Sequence, residues 1–309
     1  MPVPDDPCPP SPPGDRSVGV VGIGNMGGGM ALNLLARGWR VRVHDLERGK
    51  VDALALRGAV ACPDAATAAA QVPITIVAVV DAAQCEAVLW GEAGVHARSG
   101  GLAGHTVMLC PTIAPEDVER FAARLAEDGA ATIDAPMSGG PQRAADGTMS
   151  LMVGCAPAVH ASHRSLLEAL SSRPFVVGGR PGDGARMKLV NNLLAGINLV
   201  GAAEALALAQ RLGMDLHTVL AVIEQSSGQS WVGSDRMRRA IAGDYAPRAQ
   251  VTLLRKDTAL ALRAAHDAGF EAPLGAAAHT VFERAFERGW GHLDDAVVLR
   301  LLSEPTARD

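Results

Sequence analysis

Two side chains with chemistry to offer, Lys188 and Asn192, stand four residues apart in the stretch M-K-L-V-N-N. On a helix, residues at that spacing share a face, so an ammonium and an amide would project together, with Met187, Val190, Leu194 and Ile197 as apolar contacts around them. An ammonium drawn out of water gives up its proton more readily and can then serve as an acid or a base. A plain surface lysine on a long helix is the alternative. The stretch D-A-P-M-S-G-G, Asp134 to Gly140, offers a second set of groups. Ser138, Gly139 and Gly140 can present a hydroxyl and bare backbone N–H groups to a carboxylate or an oxyanion, or can simply form a flexible loop. The third set is G-I-G-N-M-G, in which Gly22, Gly24 and Gly27 frame Asn25 and Met26. The first glycine permits a tight turn, the second lets the backbone approach a pyrophosphate, and the third allows close packing of helix on strand. Asp45, about 20 residues on, is placed to accept hydrogen bonds from the ribose hydroxyls of an adenosine. A carboxylate there repels a 2′-phosphate, so NAD is expected rather than NADP. Arg40, Arg42 and Arg48 lie close enough in sequence to soften that preference.

These residues need a scaffold, and the hydrophobic pattern supplies one. Strands are expected over Ser17–Ile23, Arg40–His44, Ile74–Val80, Thr106–Leu109, Ala131–Asp134, Gly147–Gly154 (as a hairpin closing the domain) and Phe175–Val177. Helices alternate with them, after Gly24 through Leu35, then over Glu47–Leu56, Asp64–Gln71, Asp81–Leu89 and Pro115–Asp128. Alternation of this kind means a doubly wound parallel sheet of Rossmann type, whose ligands sit at the carboxyl ends of the strands. Val80, Asp81, Thr112 and the Ser138 loop all fall at such ends. From Gly178 the glycine-rich G-G-R-P-G-D-G makes a flexible crossing, with Asp183 as the cap of a helix running to Leu212 and stopped by Gly213. Some 28 residues of helix reach roughly 42 Å, enough to join two domains. Beyond it the pattern is helical throughout. The expected organisation is a Pro-rich disordered tail over residues 1–15, a dinucleotide-binding domain over 16–179, and an all-α domain over 180–309 joined through the long helix.

Composition narrows the class. The 309 residues are 48% apolar, 20% charged and only 3% aromatic, with a net charge of −5, so the chain reads as globular, with no electrostatic case for nucleic acid. Ile74–Val80 is too short an apolar run to cross a bilayer. The start M-P-V-P-D-D-P has neither a basic nor an apolar segment, so no secretory signal and a cytoplasmic location are expected. The five cysteines form no CxxC pair and read as reduced thiols. His160 and His163 have a metal-like spacing without partners, so no metal site is expected and both are assigned to a helix surface. There is no HExxH, GxSxG or GxxxxGK[ST]. Trp231 is placed either in a pocket wall or in the core.

Four motifs in order, G-I-G-N-M-G, D-A-P-M-S-G-G, G-x-x-x-K-x-x-N-N and the Lys256-Asp257 pair, give the chain a resemblance to the β-hydroxyacid dehydrogenase (3-hydroxyisobutyrate dehydrogenase-like) family from Ser17 to Leu302. Asp81–Gly91, Ala203–Ala209, Gly243–Arg248 and the L-D-D near the end look most like its L-threonate dehydrogenase branch. The resemblance implies hydride transfer between a small hydroxy acid and nicotinamide, with Lys188 as general acid/base. It implies that Ser138, Gly139 and Gly140 hold the substrate carboxylate and that Asn192 orients the reacting hydroxyl. Gly22, Gly24, Asn25, Met26, Gly27, Asp45, Val80 and Asp81 would bind the dinucleotide, Thr112 would lie beside the nicotinamide ribose, and Lys256 would close over the cofactor. NADP-preferring relatives often show N-R-T after the second strand; here it is D-L-E, with Leu46 at the arginine position. Asp81 departs from the asparagine of the threonate branch. The family also implies a homodimer or homotetramer. Two rivals remain, an imine reductase and a non-catalytic dinucleotide-binding protein. The first usually lacks this lysine, and the second would be expected to lose Lys188, Asn192 or Ser138.

Overall fold

A computed structural model describes residues 16–304; the tail expected over residues 1–15, with Cys8, lies outside them. Strands and helices alternate from the start: β1 (Ser17–Val21), α1 (Asn25–Ala36), β2 (Arg40–His44), α2 (Arg48–Ala55), β3 (Val60–Ala61), α3 (Ala65–Ala69), β4 (Ile74–Val77), α4 (Ala82–Trp90), β5 (Thr106–Leu109), α5 (Pro115–Glu127) and β6 (Ala131–Asp134). Then come β7 (Met137–Ser138), α6 (Gly140–Asp146), β8 (Ser150–Gly154), α7 (Pro157–Ser162), α8 (Arg164–Leu170) and β9 (Arg173–Gly178). The rest is helical: α9 (Asp183–Arg211), α10 (Leu216–Glu224), α11 (Trp231–Ile241), α12 (Val251–Asp267), α13 (Pro273–Ala285) and α14 (Val298–Ser303). The chain forms two compact units that part inside α9, between Lys188 and Leu189, whereas the sequence reading puts a boundary between 179 and 180.

In the first unit the sheet order is β3-β2-β1-β4-β5-β6-β8-β7, with β9 paired to β8. The strands from β1 to β6 are all parallel. Their β-branched runs, such as the wholly buried I-T-I-V of β4, suit strands covered on both faces. The order reverses between β1 and β4, which makes a crevice at their carboxyl ends.

The far edge corrects the expected hairpin over Gly147–Gly154. β8 runs antiparallel to β6 and β7, but α6 intervenes between β7 and β8. Gly139 and Gly140, at φ of 130° and 77°, reverse the chain, and Pro141 starts the helix, where its fixed φ fits. His163 also departs from expectation. It lies buried between α7 and α8, with Nε2 at 2.8 Å from the Thr106 Oγ1 of β5. His105 is likewise buried, held by Thr75 at 3.0 Å and the Val72 carbonyl at 3.1 Å.

In the second unit α9 continues as the central helix, burying Leu199, Ala203 and Leu206 against Leu220, Met237 and Phe282. By length and composition α9 is apolar enough to cross a membrane, and nearly half of its most apolar part is buried inside the protein. Val190 and Leu194, expected to supply apolar contacts around Lys188 and Asn192, are exposed, as is Met187 in the first unit. Trp231, at the first turn of α11, is 54% exposed and is not part of the core. The L-D-D segment is structural. Asp294, fully buried, accepts from Arg239 Nη2 at 3.0 Å and from the N–H groups of Arg248 and Ala249 at 2.8 and 3.2 Å. Asp295 takes Arg236 Nε at 2.7 Å.

Burial pushes His163 from its ordinary value of 6.5 down to about 4. Its folded value lies below the unfolded one, so its contribution to stability is full above about 6.5 and is lost as pH falls toward 4. Burial pushes Asp134 up to about 7, which acts in the opposite sense, so the histidine must be isolated by difference. Between about pH 7.5 and about pH 5, wild type is expected to lose ~2 kcal/mol relative to His163→Gln. Urea unfolding of both proteins checks this, and a pH-independent difference would contradict it.

Candidate active site

The glycine loop between β1 and α1 is closed on two sides and open on the third. Gly22 has a φ of 85°, and a Cβ there would stand 2.8 Å from the Ala78 carbonyl oxygen; one on Gly27 would stand 2.0 Å from the Gly22 oxygen. A Cβ on Gly24 would meet nothing within 4 Å. The outer two glycines are therefore required by the protein's own packing, whereas the middle one leaves bare backbone facing open space. Next to it the first turn of α1, at Asn25 and Met26, carries no acidic residue, and free N–H groups at a helix start attract a phosphate. The loop thus fits the pyrophosphate of a dinucleotide.

Asp45 follows β2. Its Oδ2 accepts from Ile23 N at 2.8 Å and its Oδ1 from Glu47 N at 2.9 Å, so the carboxylate braces the loop while each oxygen keeps capacity for a further bond. The nearby arginines are occupied. Arg42 donates to the Thr67 carbonyl at 2.9 Å, and Arg48 pairs with Asp52 at 3.2 Å. After β4, Val80 donates its N–H to Gln84 Oε1 at 2.9 Å, and Asp81 caps α4 by accepting from Gln84 N at 2.8 Å. Asparagine could accept the same bond. Thr112 follows β5 and is half-buried. These residues all stand at the carboxyl edge of the parallel sheet.

Farther along that edge lie the groups suited to proton transfer. Lys188 is only 7% exposed, and its Nζ donates to the Met137 carbonyl at 2.6 Å. Met137 leads directly into half-buried Ser138, Gly139 and Gly140. A Cβ on Gly140 would meet nothing within 4 Å, so its backbone has an open side. Beside them Asp134 is 1% exposed. Burial raises its carboxyl, opposed by the N–H groups of Ala185, Gly182 and Gly184.

The second unit has a network of its own. Asn192, one helical turn after Lys188 on α9, is buried and donates from Nδ2 to Asp257 Oδ2 at 2.6 Å. Asn191 Nδ2 donates to Asn192 Oδ1 at 2.9 Å, and Lys256 Nζ stands 2.9 Å from Asp257 Oδ1. Asp257 thus links Lys256 and Asn192.

The family model for the NAD-binding domain of 6-phosphogluconate dehydrogenase matches residues 17–179, and that for the NAD-binding region of NADP-dependent 3-hydroxyisobutyrate dehydrogenase matches residues 182–302. L-threonate dehydrogenase of Cupriavidus necator is 36% identical over 93% of this chain and 96% of its own length. The chain belongs to the hydroxyacid dehydrogenase family. 3-Hydroxyisobutyrate dehydrogenase of Pseudomonas aeruginosa is 37% identical over 86% of this chain and 90% of its own. The solved 3-hydroxyisobutyrate dehydrogenase of Salmonella typhimurium superposes with a TM-score of 0.86 at 33% identity, covering 92% of this chain and 99% of that one. The matching domains are those that bind pyridine nucleotides.

Sequence reasoning drew on the serine and glycines of D-A-P-M-S-G-G and passed over its aspartate, and it singled out Lys256 rather than Asp257. The signal for Asp134 was an acid closing an otherwise apolar strand, yet its partners lie 48 and 51 residues away.

The glycine geometry separates two effects. Gly24→Ala should keep the thermal midpoint within about 2 °C while weakening dinucleotide binding by at least about tenfold, since its Cβ enters open space where a ligand would lie. Gly27→Ala should lower both, because its Cβ meets the Gly22 oxygen. Thermal unfolding with calorimetric titration of NAD checks the pair, and equal behaviour of the two variants would contradict the assignment.

Proposed function

We propose that this protein is an NAD-dependent dehydrogenase of a small hydroxy acid of the L-threonate, 3-hydroxyisobutyrate or glycerate type, with Lys188 as the general acid/base. The observation that carries this reading is the buried Lys188 ammonium, held on the Met137 carbonyl just ahead of Ser138. The bound nicotinamide supplies the hydride acceptor. In oxidation the carbinol carbon gives up a hydride while the hydroxyl proton passes to the Lys188 amine; in reduction the ammonium returns it. An arginine could hold the oxygen but could not release its proton readily. The Ser138 hydroxyl and the N–H groups of Gly139 and Gly140 receive the substrate carboxylate. Asn192, fixed by Asp257, orients the reacting hydroxyl, and Lys256 closes over the cofactor. Asp45 supports NAD over NADP, as do the pairing of Arg42 and Arg48 away from it and the presence of Leu46 where an arginine would take a 2′-phosphate.

Initial rates with NAD and NADP against L-threonate, D-glycerate and 3-hydroxyisobutyrate test the reading. One acid should be oxidised with at least about tenfold preference for NAD. Lys188→Ala should lose about 100- to 10,000-fold in turnover while still binding NAD. Turnover within a few-fold of wild type in that variant would refute the assignment of Lys188.

A further inference from the structure

The connection from β6 to α6 grips the start of α9 at two points. Asp134 Oδ2 accepts from Gly182 N at 2.8 Å and from Ala185 N at 2.9 Å. Three residues on, the Met137 carbonyl takes the Lys188 ammonium. The first N–H groups of a helix have no partner within it, and a residue next to the helix in sequence usually supplies one. Here the local candidate is turned elsewhere. Asp183 faces the Arg180 N–H at 3.3 Å and Arg186 Nη1 at 3.5 Å, so the cap expected of Asp183 comes from Asp134, a distant residue in sequence. Glycine permits the crossing. A Cβ on Gly184 would stand 2.5 Å from the Met152 oxygen and 2.8 Å from that of Asp134, and one on Gly178 would stand 2.0 Å from Asp183 Oδ2. On the outer side Arg186 Nη2 pairs with Glu119 at 2.7 Å.

We propose that Asp134 is a positioning residue for Lys188: by holding the first turn of α9 through Gly182 and Ala185, it fixes where the Lys188 ammonium stands relative to Met137 and Ser138. This rests on Lys188 being the acid/base of the reaction. The physical argument is the closed circuit of the two grips. The side chain of Asp134 and the backbone of Met137 belong to one short segment, and their partners lie within seven residues, from Gly182 just ahead of α9 to Lys188. If the Asp134 grip is released, the turn is free to shift and the lysine moves with it. A displacement of about 1 Å at a reacting group is enough to cost up to about 100-fold in rate. The placement also accounts for an acid being kept where water is excluded, because the helix N–H groups offset its burial.

The test compares Asp134→Ala, Asp134→Asn, Lys188→Ala and the double variant Asp134→Ala with Lys188→Ala. It reads kcat on the best acid of the panel above and amide hydrogen exchange over residues 180–190. Asp134→Ala should exchange faster in that segment and lose about 10- to 100-fold in kcat, with NAD affinity held within about twofold. Asp134→Asn, which keeps an accepting oxygen, should recover kcat to within a few-fold. In the Lys188→Ala background Asp134→Ala should cause no further loss. Should the alanine variant fail to accumulate, Asp134→Ser carries the same expectations, since its hydroxyl is too short to reach both N–H groups. Full turnover in Asp134→Ala while Lys188→Ala is inactive would overturn the positioning role alone. So would unchanged exchange, or losses that multiply in the double variant. Turnover retained in Lys188→Ala would overturn the reading of Lys188 and this inference with it.

Discussion

A carboxyl group shut away from water must be matched by donors, and in this protein a helix start supplies them. Asp134 closes β6 and meets the N–H groups of Gly182 and Ala185 at the start of α9. That contact ties β6 to the helix that carries Lys188. Unsatisfied, either partner would be costly, for a buried carboxylate and a helix N-terminus both need hydrogen bonds. The glycines at 178 and 184 belong to the same joint, because a side chain at either position would hold helix and sheet apart.

The dinucleotide half obeys the same logic. Gly22 and Gly27 are closed by the protein's own packing, and Gly24 is left open beside a helix start without acidic residues. Asp45 braces the loop through Ile23 and Glu47, so the residue proposed to read the ribose also holds the turn that receives the pyrophosphate. The α/β sheet places the glycine loop at the reversal between β1 and β4, where the helices on either side leave a crevice, with Asp45 one strand away at the end of β2.

Much of this was legible in the sequence because its causes are local. Apolar runs punctuated by glycine located the parallel strands, and the spacing of Gly22, Gly24 and Gly27 located the loop. What the sequence did not reveal depends on partners far along the chain. Asp134 reads as the end of a strand until Gly182 and Ala185 are brought to it. His163 reads as a helix-surface residue until Thr106 of β5 stands against it. α6 was hidden because two glycines followed by a proline suggest a loop, although the same residues turn the chain and open a short helix. Met187, Val190 and Leu194 are apolar by type and yet exposed, because burial is set by which face a helix turns inward, while Lys188 and Asn192 are buried.

The central claim is that Lys188 moves a proton rather than merely supplying positive charge. Rapid-mixing measurement of reduced nicotinamide formation in a single turnover by Lys188→Arg tests it most directly, since arginine keeps the charge but holds its proton. The account predicts that the hydride-transfer phase is slowed by at least about 100-fold although NAD still binds. A transfer phase within a few-fold of wild type would show that charge suffices, and the assignment of Lys188 as acid/base would be wrong.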